Sequence, residues 1–252
     1  SAFGALPAAS SAPVTRPWWE VFGFPQELLG ALSIGMVEAK FRELAEIRNR
    51  AILAARGTYL IFLDGDCIVR PDFVTAHRRL AEPHWFVTGN RVLLSRDLTA
   101  KVLRENLAPE AWSGVRWLSE RFHGGVNRLS GLLNLQLGPL RRLRQGMWEG
   151  ARSCNLAIWR SDLDRVDGFD ADYSGWGKED SDIIARLLHA GARRKDGMFA
   201  TGVIHLWHPE ADRSRLIENE RKLAEVTEGD RVRARRGLSS LQSIAAGTRG
   251  AS

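Results

Sequence analysis

Cysteine is nearly absent: the 252 residues contain two, Cys67 and Cys154. Two widely separated thiols exclude a disulfide scaffold and are too few for a cysteine zinc site, so both read as buried small hydrophobes in a chain of cytosolic type. Long apolar runs are also missing. No stretch reaches the roughly 18 to 20 residues that a membrane helix needs, and no basic-then-apolar leader opens the sequence, so neither a bilayer span nor secretion by this stretch is expected. The first residue is Ser rather than Met, which leads us to expect a processed or cropped product. Charge of one sign does not dominate either. Lys and Arg number 36 against 30 Asp and Glu, for a net +6, which admits nucleic acid, anionic lipid or a phosphorylated substrate without selecting one. The basic clusters "RRLRQ" and "RVRARR" have acids interspersed around them, as solvated helix faces do, so no nucleic-acid partner is expected. What is present, 44% hydrophobic and 26% charged residues, describes a globular chain able to bury a sizeable core.

The pattern along the chain is that of an α/β protein. Residues 1–17 are rich in Ala, Ser and Pro and read as a flexible leader, and the whole of 1–40 is an atypical or flexible segment. From Phe41 a helix is expected, with Leu44, Ile47, Ala51 and Ala54 on its inner face and Gly57 at its end. "TYLIFLD" follows as a strand covered on both faces. "RPDFVTAHRRLAE" predicts a short helix and "HWFVTGNRVLLS" one or two strands. Residues 100–147 read as mostly helical and basic. "SCNLAIW" is a strand leading into a helix capped by Ser161. "KEDSDIIARLLHAGA" is a helix with Ile183, Ile184, Leu187 and Leu188 inward. "FATGVIHLWHP" is a last strand closed by Pro209. We expect a main domain over 41–215, then a charged helix and a disordered tail over 216–252. There is no internal repeat.

Three short motifs carry chemistry. Asp64 and Asp66, with Gly65 between them, stand at the carboxyl end of an apolar strand, where open α/β sheets bind ligands. Two carboxylates this close repel unless a cation is shared, so a divalent metal is the natural companion. The plain alternative is a hydrogen-bonded Asp-Gly turn. A second acidic cluster, Glu179, Asp180 and Asp182, follows the loop Gly175, Trp176, Gly177. Acids in a first helical turn can simply complement the helix dipole, but an indole between two glycines suits packing on a flat sugar face. A carboxylate there could serve as general base. Finally "HLWHP" offers His205 and His208, and imidazole beside carboxylate suits Mn²⁺ or a similar cation better than Ca²⁺.

"AEIRNRAILAARGTYLIFLDGDCIVRPDF", "GARSCNLAIWRSDLDRVDGFDADYSGWGKEDSDIIARLLHAG" and "VIHLWHPE" together resemble the inverting family 2 glycosyltransferases of the GT-A fold. The second motif is similar to the acceptor-side segment of chondroitin polymerases and β-1,4-galactosyltransferases. Bacterial enzymes of lipopolysaccharide or capsule synthesis look nearest. The resemblance implies a Rossmann-like mixed sheet flanked by helices and transfer of a sugar from a nucleotide sugar, with UDP as the expected nucleotide, to a saccharide or lipid-linked hydroxyl. It implies Mn²⁺ or Mg²⁺ as cofactor. By the same resemblance Asp66 binds the metal directly, Asp64 lies toward the ribose or the metal's water, and His205, with His208 as the alternative, completes the metal site. Asp180 is the catalytic base and Glu179 the acid that holds the acceptor. Trp176, Gly175 and Gly177 form the acceptor loop. Arg48, Asn49, Asp64, Gly65 and Asp66 contact the nucleotide sugar. The strands that open this family and bind the nucleotide are missing or atypical in 1–40, which raises an inactive carbohydrate-binding remnant as the alternative. A metal-dependent nucleotidyltransferase would also use paired aspartates but leaves the Trp loop unexplained. The basic segment Arg141 to Arg144, interleaved with Leu140, Leu143 and Trp148, suggests a peripheral membrane contact, and the expected location is cytoplasmic, on the inner face of the cell membrane.

Overall fold

A computed structural model describes residues 44–210 and 212–249. The expectations for residues 1–40 lie outside the described residues. Helix α1 (Leu44–Ala54) leads to β1 (Tyr59–Leu63), a tight turn and β2 (Cys67–Ile68). Next come α2 (Phe73–Leu80), β3 (Trp85–Thr88), β4 (Arg91–Leu93), α3 (Arg96–Arg104) and α4 (Gly114–Phe122). A long irregular stretch then reaches β5 (Asn155–Trp159) and α5 (Arg160–Val166). The chain ends with α6 (Glu179–His189), β6 (Arg193–Asp196), β7 (Val203–His205), α7 (Leu216–Thr227) and α8 (Leu238–Arg249). None of the described helices is long and apolar enough to cross a membrane.

Two mixed sheets form the frame. The first has the order β1-β5-β3-β6 and the second β2-β7-β4. In the first, β5 is antiparallel to β1 and β3, whereas β6 runs parallel to β3. Leu156 and Ile158 of β5 are fully buried under Ile52 of α1 and Ile183, Ile184 and Leu187 of α6. A second apolar cluster, with Val92, Leu98, Val102, Trp117 and Ile204, ties β4 and β7 to α3 and α4. Burial of such side chains contributes about 1.5 to 3 kcal/mol each, and it holds the two sheets' ends in place.

Several elements differ from the expectations. The buried face of α1 is Ala45, Asn49 and Ile52, rotated from Leu44, Ile47, Ala51 and Ala54, because a polar Asn lies on the core side. Strand β1 is half-buried along its whole length, since among the described strands it stands at one end of its sheet. Residues 123–154 are turns and short 3-10 segments, not helix. Helix α5 begins at Arg160 with Trp159 before it, so Ser161 lies inside the helix and caps nothing. Strand β6, "RRKD", carries too much charge to read as a strand; it forms because Arg194 and Lys195 bury their stems and send their charges to Thr88 Oγ and Glu82. Residues 238–249 are helical rather than disordered, fastened where Leu238 enters the core.

Candidate active site

The metal side of the site grows from the meeting of the sheets. Strand β1 delivers the chain to Asp64, and a turn closed by Cys67 N–H donating to the Asp64 carbonyl at 3.1 Å leads into β2. The two aspartates therefore lie in a turn, not along an extended strand, and their side chains part. Asp66 is fixed beside the end of β7, because Leu206 N–H donates to its carbonyl at 2.9 Å and Cys67 pairs with His205 across the strands. His205 Nε2 lies 3.4 Å from Asp66 Oδ1 and His208 Nε2 3.1 Å from Asp66 Oδ2. Each ring's Nδ1 faces a backbone carbonyl, Leu206 O at 2.8 Å and Pro209 O at 2.7 Å. An Nδ1–H donating to a carbonyl leaves Nε2 as the lone-pair atom. Two imidazole lone pairs then converge on one carboxylate, an arrangement that a divalent cation satisfies. Burial pushes the His205 imidazole below its ordinary value despite the attraction of Asp66, which keeps it neutral and able to ligate. Asp66, Cys67 and His205 bring three ligand atoms within 4.8 Å of one another; Asp64 stands outside that group.

Asp64 turns to Arg48, whose Nη2 lies at 3.5 Å. Burial, opposed by Arg48, still raises the Asp64 carboxyl above its usual range. The same guanidinium donates to Glu179 Oε1 at 3.1 Å and to Ser153 Oγ at 2.8 Å, joining the two acidic motifs. Glu179 is buried and its other oxygen, Oε2, has no hydrogen-bond partner. Burial first, and the neighbouring Asp180 second, push the Glu179 carboxyl up. Asp180 is half-buried; its Oδ1 accepts from Ser181 N–H at 2.8 Å and its Oδ2 from Ser153 N–H at 3.4 Å. It lies near enough to Asp64 to add to the upward pressure on that carboxyl, so both acidic motifs face one space.

The loop before α6 is held in a left-handed course, with φ of 73° at Gly175, 103° at Gly177 and 77° at Lys178. Only glycine takes a φ near 100° without strain. Asn219 of α7, fully buried, fastens this loop by donating to Ser174 O at 3.1 Å and Gly177 O at 3.0 Å. Trp176 is 38% exposed at the loop tip, with the Arg213 guanidinium 5.2 Å from its ring.

Asp66, His205, His208, Asp64, Arg48, Glu179 and Asp180 thus come together, linked by shared partners. Asn49 does not. Its Nδ2 donates to Phe169 O at 2.7 Å and its Oδ1 accepts from Phe169 N–H at 2.8 Å, so it pins α1 to the core and cannot reach a nucleotide sugar. Ser153 and Cys67 belong to the site and were missed. Ser153 adjoins an apolar strand like any small polar residue, and Cys67 counts as a small hydrophobe; the Arg48 contact reveals the first and the β2–β7 register the second. Two surface clefts of about 600 and 590 Å³ lie elsewhere, lined by none of these residues.

Residues 37–134 match the family described as Glycosyl transferase family 2, and residues 144–208 match the one described as N-terminal domain of galactosyltransferase. The first match contains Asp64 and Asp66, the second Glu179, Asp180, His205 and His208. Chondroitin sulfate synthase 3 of Homo sapiens is 33% identical over 66 residues, 26% of this chain and 7% of that protein. The Mus musculus protein of the same name is 34% identical over 64 residues, 25% of this chain and again 7% of its own length. The similarity thus spans a small part of these curated relatives. A crystal structure of GalNAc-T7 with UDP, GalNAc and Mn²⁺ superposes on 73% of this chain and 34% of its own, at 15% identity and a TM-score of 0.44. The mixed sheets flanked by helices thus carry two segments similar to glycosyltransferase families, one over residues 37–134 and one over residues 144–208.

Proposed function

We propose that this chain moves a sugar from a nucleoside diphosphate sugar to a hydroxyl of a saccharide or glycolipid acceptor, with inversion and with Mn²⁺ or Mg²⁺ bound. The reading rests on one observation above the others. Arg48 lies 3.5 Å from Asp64 and 3.1 Å from Glu179, which ties the two acidic motifs together, with the Asp66–His205–His208 cluster beside the first and Asp180 beside the second. The donor set of one carboxylate and two imidazoles fits a borderline divalent cation. When bound, that cation would supply charge neutralisation for the departing pyrophosphate.

The chain's own groups do the rest. Asp180 accepts the proton of the acceptor hydroxyl, which is a poor nucleophile near neutral pH. Glu179, whose Oε1 accepts from Arg48 beside Asp180, is the acid that holds the acceptor. The Trp176 face, backed by Arg213, packs on the acceptor ring. A base on the face opposite the leaving group would make the attack invert the anomeric configuration. A UDP-sugar donor and a role in surface polysaccharide or lipopolysaccharide synthesis on the inner face of the cell membrane fit this chemistry.

The test is metal-dependent release of nucleoside diphosphate across a panel of nucleotide sugars. Asp180→Asn should lower kcat by about 10² to 10⁴-fold with donor affinity unchanged, since it removes a proton acceptor and no donor contact. Full turnover in that variant would refute the base assignment. Oligosaccharide binding with no turnover of any donor would favour the inactive remnant instead.

A further inference from the structure

The Cys67 side chain lies in the metal cluster, and the resemblance assigns it no role. We propose that Cys67 is a third ligand beside Asp66 and His205, so that this site also takes a thiophilic ion such as Zn²⁺ or Co²⁺, held in a way that Mn²⁺ and Mg²⁺ are not. The inference rests on the metal reading above and extends it.

The geometry comes from the backbone. Cys67 and His205 are directly opposed across the β2–β7 pair, and opposed residues of an antiparallel pair put their side chains on the same face. Asp66 precedes Cys67, and the Asp64–Cys67 turn folds its carboxylate back over that face. Cys67 Sγ is 3.8 Å from Asp66 Oδ1, and Asp66 Oδ1 is 3.4 Å from His205 Nε2. Bonds of about 2.0 to 2.3 Å to a tetrahedral zinc put ligand atoms roughly 3.3 to 3.8 Å apart, so two edges of the tetrahedron are already formed. The third, between Cys67 Sγ and His205 Nε2, is no longer than 4.8 Å. Three protein ligands leave a fourth position open. A thiolate adds little for hard Mg²⁺ and much for Zn²⁺ or Co²⁺.

The proton balance is simple. The thiolate ligand forms from the Cys67 S–H. On binding, that bond breaks, a metal–sulfur bond forms and one proton leaves to buffer. Cys154 is the built-in control. Its Sγ faces the Arg91 guanidinium at 3.9 Å and stands outside the ligand group.

Cobalt titration of the metal-stripped protein reads the proposal directly, through sulfur-to-cobalt charge-transfer absorption in the near ultraviolet. The band should appear in the native chain and in Cys154→Ser and vanish in Cys67→Ser. Zn²⁺ affinity should fall by at least about tenfold in Cys67→Ser, while Mn²⁺ affinity, read from the electron paramagnetic resonance of the free ion, stays within about twofold and shows the variant's site intact. A band that persists in Cys67→Ser, or unchanged Zn²⁺ affinity, overturns the thiolate ligand. Mn²⁺ binding without any cobalt–sulfur band overturns it too, yet leaves the transferase reading standing. Absence of all three metals overturns both.

Discussion

Single side chains set both the chemistry and a pH liability. His77 of α2 is fully buried, with Nε2 3.0 Å from Asn155 Oδ1 and its ring edge-on to Phe73. Burial, only partly offset by that hydrogen bond, lowers it from 6.5 to about 4. The unfolded chain therefore binds a proton between these values that the folded chain refuses, and stability falls as pH drops from 6.5 to about 4 and is complete above 6.5. The difference amounts to about 3 kcal/mol. Urea unfolding at pH 7 and pH 4.5 should show this loss in the native chain and a shallower one in His77→Gln, where the amide can still meet Asn155. Equal losses in both would place the acid sensitivity elsewhere. At this scale the sequence was readable where chemistry is unusual. A paired carboxylate at a strand end and two histidines in four residues marked Asp66, His205 and His208, because few structural duties call for them. Asn49 shows the opposite. Its amide could serve a ligand or a helix-to-core clamp equally well, and only the rotation of α1 decides.

Elements place these side chains, and the loop before α6 depends most on the neighbours that hold it. The helix itself is anchored below the surface: Arg186, fully buried, donates to Asp182 at 2.7 Å and to Val166 O and Gly168 O, and Arg231 bridges Asp170 and Asp182. Removing one partner of such a pair typically costs about 3 to 5 kcal/mol, so the first turn bearing Glu179 and Asp180 is rigid. The glycine loop is held more lightly, by Asn219 and its own left-handed turns. Gly177→Ala puts a Cβ at φ 103°, about 3.3 Å from Leu216 Cδ1, a strain of about 1 to 3 kcal/mol. Because the loop can shift without disturbing the core, the strain should appear in function. The acceptor KM should rise about tenfold while the melting temperature stays close to that of the native chain. A large loss of melting temperature with unchanged KM would show the loop to be structural instead. Apolar periodicity made β5, α6 and the β1 run legible. It failed for β6 and for residues 123–154, where charged stems and backbone hydrogen bonds, not apolar period, fix the course.

For the whole molecule, one exposed apolar stripe among the described residues lies on α4. Val115, Leu118 and Phe122, at helical spacing i, i+3 and i+7, are 80%, 52% and 87% exposed, while Trp117 on the other face is buried with α3 and β4. Exposed Arg104, Arg121 and Arg128 lie in and around this region, and the chain is net positive. A basic rim around an apolar helix face is the composition that lies in an anionic lipid interface. We propose that a membrane contact uses α4 beside the expected segment, where Leu140 and Leu143 are 60% and 78% exposed. Arg141 is buried there, donating to Asp196 O, Met198 O and Leu135 O, and cannot meet a headgroup. Co-sedimentation with vesicles rich in anionic lipid should exceed that with neutral vesicles and fall with added salt. Phe122→Ser should lower it by about tenfold or more, as loss of about 1.5 to 3 kcal/mol of apolar burial requires, and Arg142→Glu with Arg144→Glu should lower it less. Equal binding by Phe122→Ser would remove α4 from the contact, and a dimer in sedimentation equilibrium that dissociates on the same substitution would assign the stripe to a second copy of the chain.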